Sequence, residues 1–206
     1  MHLLSGIKSL IGGSGRFNPR PAANRIPATR IRPITAKDHA SCRQIYKANE
    51  ETTVPDGFIQ DFEQDLASDR FLWLGIEEDN ELIAIGAIRL NSDDLSAAAL
   101  SFGMVRPDKQ KMGYGSALLT ARLASLPRPD PVTRVVMSSL EPSAGFYRRF
   151  GFALIHRKAM DNGVELNFYC AELTRHAWET ARALLASGQV RFDPDAVSVP
   201  NSPFRD

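Results

Sequence analysis

The chain lacks any apolar run approaching the ~20 residues that a helix needs to cross a bilayer, so nothing in it reads as a membrane span. Cysteine is scarce. Cys42 and Cys170 stand too far apart in sequence to suggest a disulfide framework, and a reducing, cytoplasmic setting is the expectation. Neither has a metal-ligand neighbour, and the histidines at positions 2, 39, 156 and 176 show no ligand spacing, so no metal site is expected. A formal charge of only +1 supplies no global field to recruit nucleic acid or an anionic membrane.

One sign of charge is missing from the amino end. Up to Pro33 there is no acid, against Lys8, Arg16, Arg20, Arg25, Arg30 and Arg32. An organellar transit peptide has this composition; so does a flexible basic tail, which the Gly, Pro and Asn content of residues 12–27 supports. Nucleic-acid binding through that tail would have charge alone behind it, and no nucleic-acid partner is expected.

What is present is the profile of a globular protein, 43% hydrophobic and 24% charged over 206 residues, near the upper range of one domain. The patterning places the folded unit at 30–174, after the tail 1–29 and before an accessory helix and tail at 175–206. RIRPITAKDHASCRQIYKANEE predicts a short strand, then a helix behind Thr35 with apolar Ala40, Ile45 and Ala48. DGFIQDFEQDLAS predicts a second amphipathic helix, and RFLWLGIEEDNELIAIGAIRL a hairpin about the polar turn EEDNE. AAALSFGMV is a further strand, feeding an Ala- and Leu-rich helix from Gly113 to Leu126. TRVVMSS is a strand, and PSAGFYRRFGF a short helix stopped at Gly151. ALIHRKA and VELNFYCAEL close the domain around the turn Asp161-Asn162-Gly163. The order is βααβββαβαββ. RHAWETARALLASG then has helical spacing, and Trp178, Leu184 and Leu185 are expected to cover part of the sheet or to meet a partner subunit in a homodimer.

The pair Gly113 and Gly115, between an apolar strand and a helix, lets backbone N–H groups approach a phosphate, with the helix dipole adding favourable potential. Lys109 and Lys111 place cations beside the same turn, favouring an anionic ligand. A dinucleotide fingerprint fails because its third glycine would fall at Leu118, and a P-loop fails because no Gly-Lys-Ser/Thr follows. A tight strand-to-helix turn without a ligand remains the alternative.

The fuller run VRPDKQKMGYGSALL, residues 105–119, resembles the pyrophosphate-binding signature of the GNAT superfamily: Gln110, two residues, Gly113, one residue, Gly115, with Val105 and Pro107 ahead of it. GFYRRFGF, residues 145–152, is similar to that family's second hallmark, an aromatic pair followed by Gly-Phe. The resemblance spans about Arg30 to Leu173. It implies an α/β fold with a mixed, mostly antiparallel sheet, flanked by helices, whose central strands LSFGMV and TRVVMSS splay apart to admit acyl-CoA. It also implies acetyl-CoA as acyl donor, pantetheine pairing with the backbone of Met104 and Val105, and pyrophosphate held around Gln110, Lys111, Met112, Gly113, Tyr114, Gly115 and Ser116. A primary amine, on a small molecule or a protein, would attack the acyl carbonyl directly in a ternary complex. Tyr147 stands where many members have a tyrosine that protonates the departing thiolate, which a phenol can do at neutral pH. Cys42 and Cys170 read as buried small residues.

The chain departs from many relatives in one respect, since Ala97 to Met104 contains no ionisable residue where a glutamate often stands. Glu141, Glu50, Glu51 or a water held by Ser138 and Ser139 are the substitutes, and none is assigned as general base. The loss leaves open a different class, an acyl-CoA-binding sensor or interaction module with weak catalysis. From Glu50 to Asp69 the charged residues are all acids, without one Lys or Arg, either a solvated helix face or a field that attracts a cationic acceptor.

Overall fold

A computed structural model describes residues 13–19, 29–50, Val54, 57–130, 132–160, 163–187 and 190–202. Its main elements follow the expected order: β2 (Thr29–Pro33), α1 (His39–Asn49), α2 (Ile59–Leu66), β3 (Leu72–Glu78), β4 (Glu81–Asn91), β5 (Asp94–Val105), α3 (Tyr114–Ala124), β6 (Val132–Ser139), α4 (Glu141–Arg149), β7 (Ala153–Ala159) and β8 (Glu165–Thr174). α5 (Arg175–Ser187) succeeds them. Three two-residue strands, too short for any hydrophobic period to announce, join the same sheet: β1 (Gly15–Arg16), β9 (Val190–Arg191) and β10 (Asn201–Ser202).

The sheet runs β1-β8-β6-β5-β4-β3-β2-β9, with β7 beside β8 and β10 beside β4. Neighbouring long strands are antiparallel except β5 and β6. The β3–β4 hairpin turns on Asp79 and Asn80, both with positive φ, the backbone that a two-residue turn needs to match strand twist. Helices cover both faces. α3, α4 and α5 pack on one, where Leu74, Ile76, Ile88, Leu118, Leu123 and Tyr169 share a core. α1 and α2 cover the other, around Ile45, Tyr46, Phe62, Trp73 and Ile85.

Local boundaries differ from the periodic reading in α1. Thr35 caps a short 3-10 turn, Ala36–Asp38, with its backbone N–H donating to Asp38 Oδ2 at 2.8 Å. The helix proper begins at His39 and buries Cys42, Ile45, Tyr46 and Asn49, while Ala40 and Ala48 are exposed. The buried set has the i, i+3, i+4, i+7 spacing of one helix face, but one member, Asn49, is polar, so an apolar pattern alone does not mark it.

Two segments outside residues 30–174 are docked on the domain. Phe17 N–H donates to Glu172 O at 2.9 Å, and the Phe17 ring is buried against Phe150 and Phe152. α5 lies along α3 and satisfies carbonyls left over beyond its last turn: Trp178 Nε1 donates to Leu126 O at 2.9 Å and Arg182 Nη1 to Ala124 O at 3.2 Å. Arg182 also lies over the Trp178 ring at 4.7 Å. Leu185 is buried, so much of the apolar face of α5 is spent within the chain.

α4 ends in a Schellman arrangement. Gly151 takes φ +84, Phe152 N–H reaches back to Tyr147 O at 3.2 Å, and Gly151 N–H to Arg148 O at 3.0 Å. The Phe152 and Tyr147 rings meet edge to face at 5.8 Å. A side chain at 151 would be strained at that φ by about 1–2 kcal/mol and would fall 1.8 Å from Arg16 O. Gly151→Ala is therefore expected to cost at least about 2 kcal/mol, lowering the melting temperature by roughly 4–8 °C for a chain of this size. Thermal unfolding followed by circular dichroism checks it, and an unchanged midpoint would contradict the assignment.

Candidate functional site

β5 and β6 are partners for only three residues each, Ala97–Ala99 against Arg134–Val136. Beyond that, β5 stays with β4 as far as Val105, and β6 stays with β8 as far as Ser139. The two strands diverge and leave a gap with Leu100–Val105 on one side and Met137–Ser139 on the other. Its cause is local. Phe102 has φ +47 and the β4–β5 register slips between Ile85 and Ala87, a bulge that bends its strand away from the neighbour. A phenylalanine at positive φ is costly, and it is held from both faces. Its ring stacks on Trp73 at 6.0 Å and meets Phe62 edge-on at 5.3 Å. On the opposite face lies the guanidinium of Arg122, whose Nη1 is 3.4 Å from Ala87 O and 3.4 Å from Ser101 O.

The end of β5 leads to the start of α3. A 3-10 turn, Pro107–Lys109, is followed by Lys111 at φ +61 and Gly113 at φ +99, the helix N-cap, which carries no side-chain cap. An α-helix leaves its first amides without intrahelical partners. Alternating left-handed residues ahead of it form a concavity of backbone N–H groups suited to an anion. Lys111 and Gly113 to Ser116 are thus brought together, with Met112 45% exposed on the outside of the turn.

The other predicted residues here have structural tasks as well. Tyr114 is fully buried and its hydroxyl donates to Glu78 Oε1 at 2.5 Å. Lys109, expected to serve the anion, instead pairs with Glu78. Gln110 Nε2 donates to Val105 O and to Asn49 Oδ1, each at 3.2 Å, and Asn49 Nδ2 also reaches Val105 O at 3.1 Å. Arg106 N–H bonds to Ile83 O on β4, so the Val105 carbonyl of the same peptide points away from β4, toward the gap. Gly115 differs from Gly113 in its reason for being glycine: a methyl there would lie 3.6 Å from the Phe146 ring and 3.7 Å from Val105 Cγ2, ordinary contacts inside the fold.

Tyr147, on α4, is 7% exposed, with its hydroxyl under the bulge. A methyl at Gly103 would be 3.3 Å from Tyr147 Oη, and Gly103 itself is exposed. Phe146 beside it packs on Phe150 and Tyr147. Of the carboxylates considered for a base, Glu141 Oε2 accepts from Asn167 Nδ2 at 3.0 Å, and Glu51 lies outside the described residues. Among the described residues Ser139 Oγ is buried without a hydrogen-bond partner. Within the acidic segment, Glu63 pairs with Arg43 and Asp65 with Arg70; burial, above all, raises the Asp65 value. The thiols are buried, and desolvation pushes Cys42 up to about 12 and Cys170 up to about 11, which keeps both protonated and inert. Among the described residues there is no group of His, Cys, Asp and Glu that could hold a metal, and no helix is long and apolar enough to cross a membrane.

Sequence reading missed three of these residues, Asn49, Glu78 and Arg122. Asn49 and Glu78 act on residues far along the chain, and an arginine in the last turn of a helix reads as a solvated one.

A strand pair opened by a bulge, with a phenol beneath it and an uncapped helix start at its mouth, makes a cleft suited to an extended anionic ligand. Residues 39–152, more than half the chain, match the acetyltransferase (GNAT) family, and the chain belongs to that family. Solved structures share its fold. The ribosomal-protein-S18-alanine N-acetyltransferase from Escherichia coli superposes with TM-score 0.57 at 16% identity, over 71% of this chain and 94% of that one. A GNAT family acetyltransferase from Elizabethkingia anophelis with acetyl-CoA bound gives 0.55 at 16%, over 72% and 100%. One from Brucella melitensis in complex with acetyl-CoA gives 0.51 at 24%, over 71% and 87%.

The Glu78 cluster has a pH signature. Hydrogen bonds from Lys109 first and Tyr114 second hold the Glu78 carboxyl below its ordinary value. Tyr114 is pushed up to about 12 by burial and by Glu78. A carboxyl depressed in the folded state contributes stability that is complete above its unfolded value of ~4.3 and is lost as pH falls through the lower folded value. Glu78→Gln should therefore be less stable than the parent at neutral pH, with the difference shrinking below about pH 4. Urea unfolding at several pH values measures it. A difference independent of pH would contradict the ionic origin.

Proposed function

We propose that the protein transfers the acetyl group of acetyl-CoA to a primary amine by direct attack within a ternary complex. The observation that carries this reading is the gap between β5 and β6, which opens toward the uncapped start of α3 and has the Tyr147 hydroxyl beneath it. The residues present suit the donor. Amides from Lys111 to Ser116 face the concavity that a pyrophosphate would fill, and the backbone of Met104 and Val105 lies along a strand edge that β6 has left. Because the Val105 carbonyl is held by Asn49 and Gln110, its N–H is the group left for pantetheine, unless those amides are displaced.

In the reaction the amine lone pair forms the new C–N bond, the C–S bond breaks, and its electron pair leaves on sulfur. Tyr147 gives its proton to that thiolate. The proton lost by the amine returns to the tyrosinate through solvent, so the products are an amide and the free thiol. Attack needs no covalent enzyme intermediate, which agrees with two inert cysteines. The acceptor class is a small-molecule or protein amine; a protein amine is what the Escherichia coli enzyme's name describes. A cationic acceptor would be drawn by the acidic segment of residues 50–69, in which Glu63 and Asp65 are already held in ion pairs.

Gly113→Val should weaken acetyl-CoA on the order of a hundredfold, because a β-branched residue cannot hold φ +99 and loss of two charge-assisted hydrogen bonds is worth roughly 3 kcal/mol. Gly115→Ala meets only ordinary contacts and should change affinity by less than about threefold, roughly 0.6 kcal/mol. Calorimetric titration with acetyl-CoA reads both, and wild-type affinity in a folded Gly113→Val protein would refute the anion site.

Tyr147→Phe removes one oxygen and leaves the ring packing, so affinity for acetyl-CoA should hold while kcat falls by on the order of tenfold to a thousandfold. Single-turnover acetylation of spermidine, lysine ethyl ester or an Ala-initiated peptide measures it. An unchanged rate would make Tyr147 a packing residue. Binding of acetyl-CoA with no transfer by the parent protein would favour the sensor alternative.

A further inference from the structure

Five aromatic rings, Tyr147 among them, close a loop of contacts. Phe146 meets Tyr147 at 5.0 Å, Tyr147 meets Phe152 at 5.8 Å, and Phe152 meets Phe17 at 6.3 Å, each edge to face. Phe17 stacks on Phe150 at 6.1 Å with the planes 9° apart, and Phe150 returns to Phe146 at 5.1 Å. These separations are the ones at which aromatic pairs attract. Four of the rings come from GFYRRFGF. The fifth, Phe17, comes from the amino end, ahead of the residues 39–152 that match the family, and is 4% exposed.

Backbone contacts fix Phe17 in that place. Gly15 and Arg16 pair in parallel with Ala171 and Glu172 of β8. Ser14 Oγ donates to Glu172 Oε1 at 2.9 Å, and Phe17 N–H donates to Glu172 O at 2.9 Å. Asn18 N–H then crosses to Phe150 O at 3.0 Å, a carbonyl that the end of α4 leaves without an intrahelical partner. The segment thus bridges the sheet and the carboxyl end of the helix that carries Tyr147. Its backbone passes close to that end. A methyl at Gly15 would fall 1.8 Å from Gly151 O, and one at Gly151 would fall 1.8 Å from Arg16 O. Gly15 has no positive φ to require glycine; the nearness of the other backbone requires it.

α4 has nine residues, a length at which a helix keeps its place through packing rather than by itself. Its Tyr147 hydroxyl stands at the gap, where a methyl on Gly103 would lie 3.3 Å from Oη. A proton donor has to be within about 3 Å of the atom that takes the proton, and a misplacement of about 1 Å costs on the order of a hundredfold in rate. Whatever lets the end of α4 swing therefore acts on the reaction through the tyrosine.

We infer that residues 14–18 clasp α4 and that Phe17 is a positioning residue for acyl transfer, holding the Tyr147 hydroxyl at the gap. This rests on the reading of Tyr147 as proton donor. From Ser14 to Asn18 the basic amino end is then part of the reacting domain rather than a tail.

The test uses the full chain, with whichever of spermidine, lysine ethyl ester and an Ala-initiated hexapeptide the parent acetylates fastest, below the melting temperature of every variant. Phe17→Ala should lower the single-turnover rate at least tenfold while the calorimetric Kd for acetyl-CoA moves less than threefold. Amide exchange at Gly151 and Phe152 should quicken in the same variant. In the Tyr147→Phe background the change should cost less than twofold. Phe17→Leu, which keeps most of the apolar bulk, should recover part of the rate. Gly15→Val, which pushes the segment off Gly151 without altering a ring, should reproduce the loss and stands in if Phe17→Ala does not fold. Ile31→Ala removes a buried side chain of the same core from β2, across the sheet, and should leave the rate within twofold. Wild-type rates in folded Phe17→Ala and Gly15→Val would overturn the inference and leave the proposed reaction standing. Equal losses with and without the Tyr147 hydroxyl, or an equal loss in Ile31→Ala, would do the same. A parent that acetylates none of the amines, or a Tyr147→Phe protein at the wild-type rate, would overturn the reading of Tyr147 and this inference with it.

Discussion

The bulge at Phe102 is the constraint on which the site depends. A parallel pair of strands ordinarily continues as long as both backbones run straight, and β5 and β6 stop pairing after Ala99 and Val136 because β5 is bent. The bend is stabilised by side chains from two different layers. An aromatic cluster of Phe62, Trp73 and Phe102 grips it from the α1–α2 side, and Arg122 binds its carbonyls from the α3 side. Buried backbone groups require partners. Opening the sheet therefore creates a demand for hydrogen bonds at Val105, part of which Asn49 and Gln110 meet.

α3 connects the parts of the site. Its first turn leaves amides without a side-chain cap, Tyr114 anchors that turn to Glu78, and Arg122 at its far end braces the bulge. α5 in turn fixes the carboxyl end of α3 through Trp178 and Arg182. The helix beyond the last full strand is thus mechanically joined to the residues at the gap, which is a reason for it to belong to the folded unit. The ion pair of Arg182 with Asp195 extends the same line of contacts toward the carboxyl end of the chain.

Much of this was legible in the chain itself. The long strands and helices announce themselves because their periods persist over seven or more residues, and the turns at Asp79-Asn80 and Gly151 carry residues suited to positive φ. Gly113 and Tyr147 stood out through their motifs. Other features were hidden for physical reasons. β1, β9 and β10 are two residues long and exist only because stretches of β8, β2 and β4 that the long strands leave unpaired offer hydrogen bonds. Lys109 looks like a free cation beside a phosphate turn until the β3–β4 hairpin brings Glu78 to it. Asn49 breaks the apolar pattern of α1 because its partner, Val105 O, lies in a different layer. Arg122 is concealed most fully, since nothing local to TARLAS distinguishes a buried arginine from a solvated one.

In the proposed reaction the opened edge of β5 and the start of α3 together receive acetyl-CoA. Backbone amide exchange, measured by NMR with and without acetyl-CoA, addresses it residue by residue. New protection is expected at Val105 and the amides from Lys111 to Ser116 alone, with the amides of β3 unchanged. Binding that leaves β5 and the α3 start as exchangeable as before, or that protects a different surface, would contradict it.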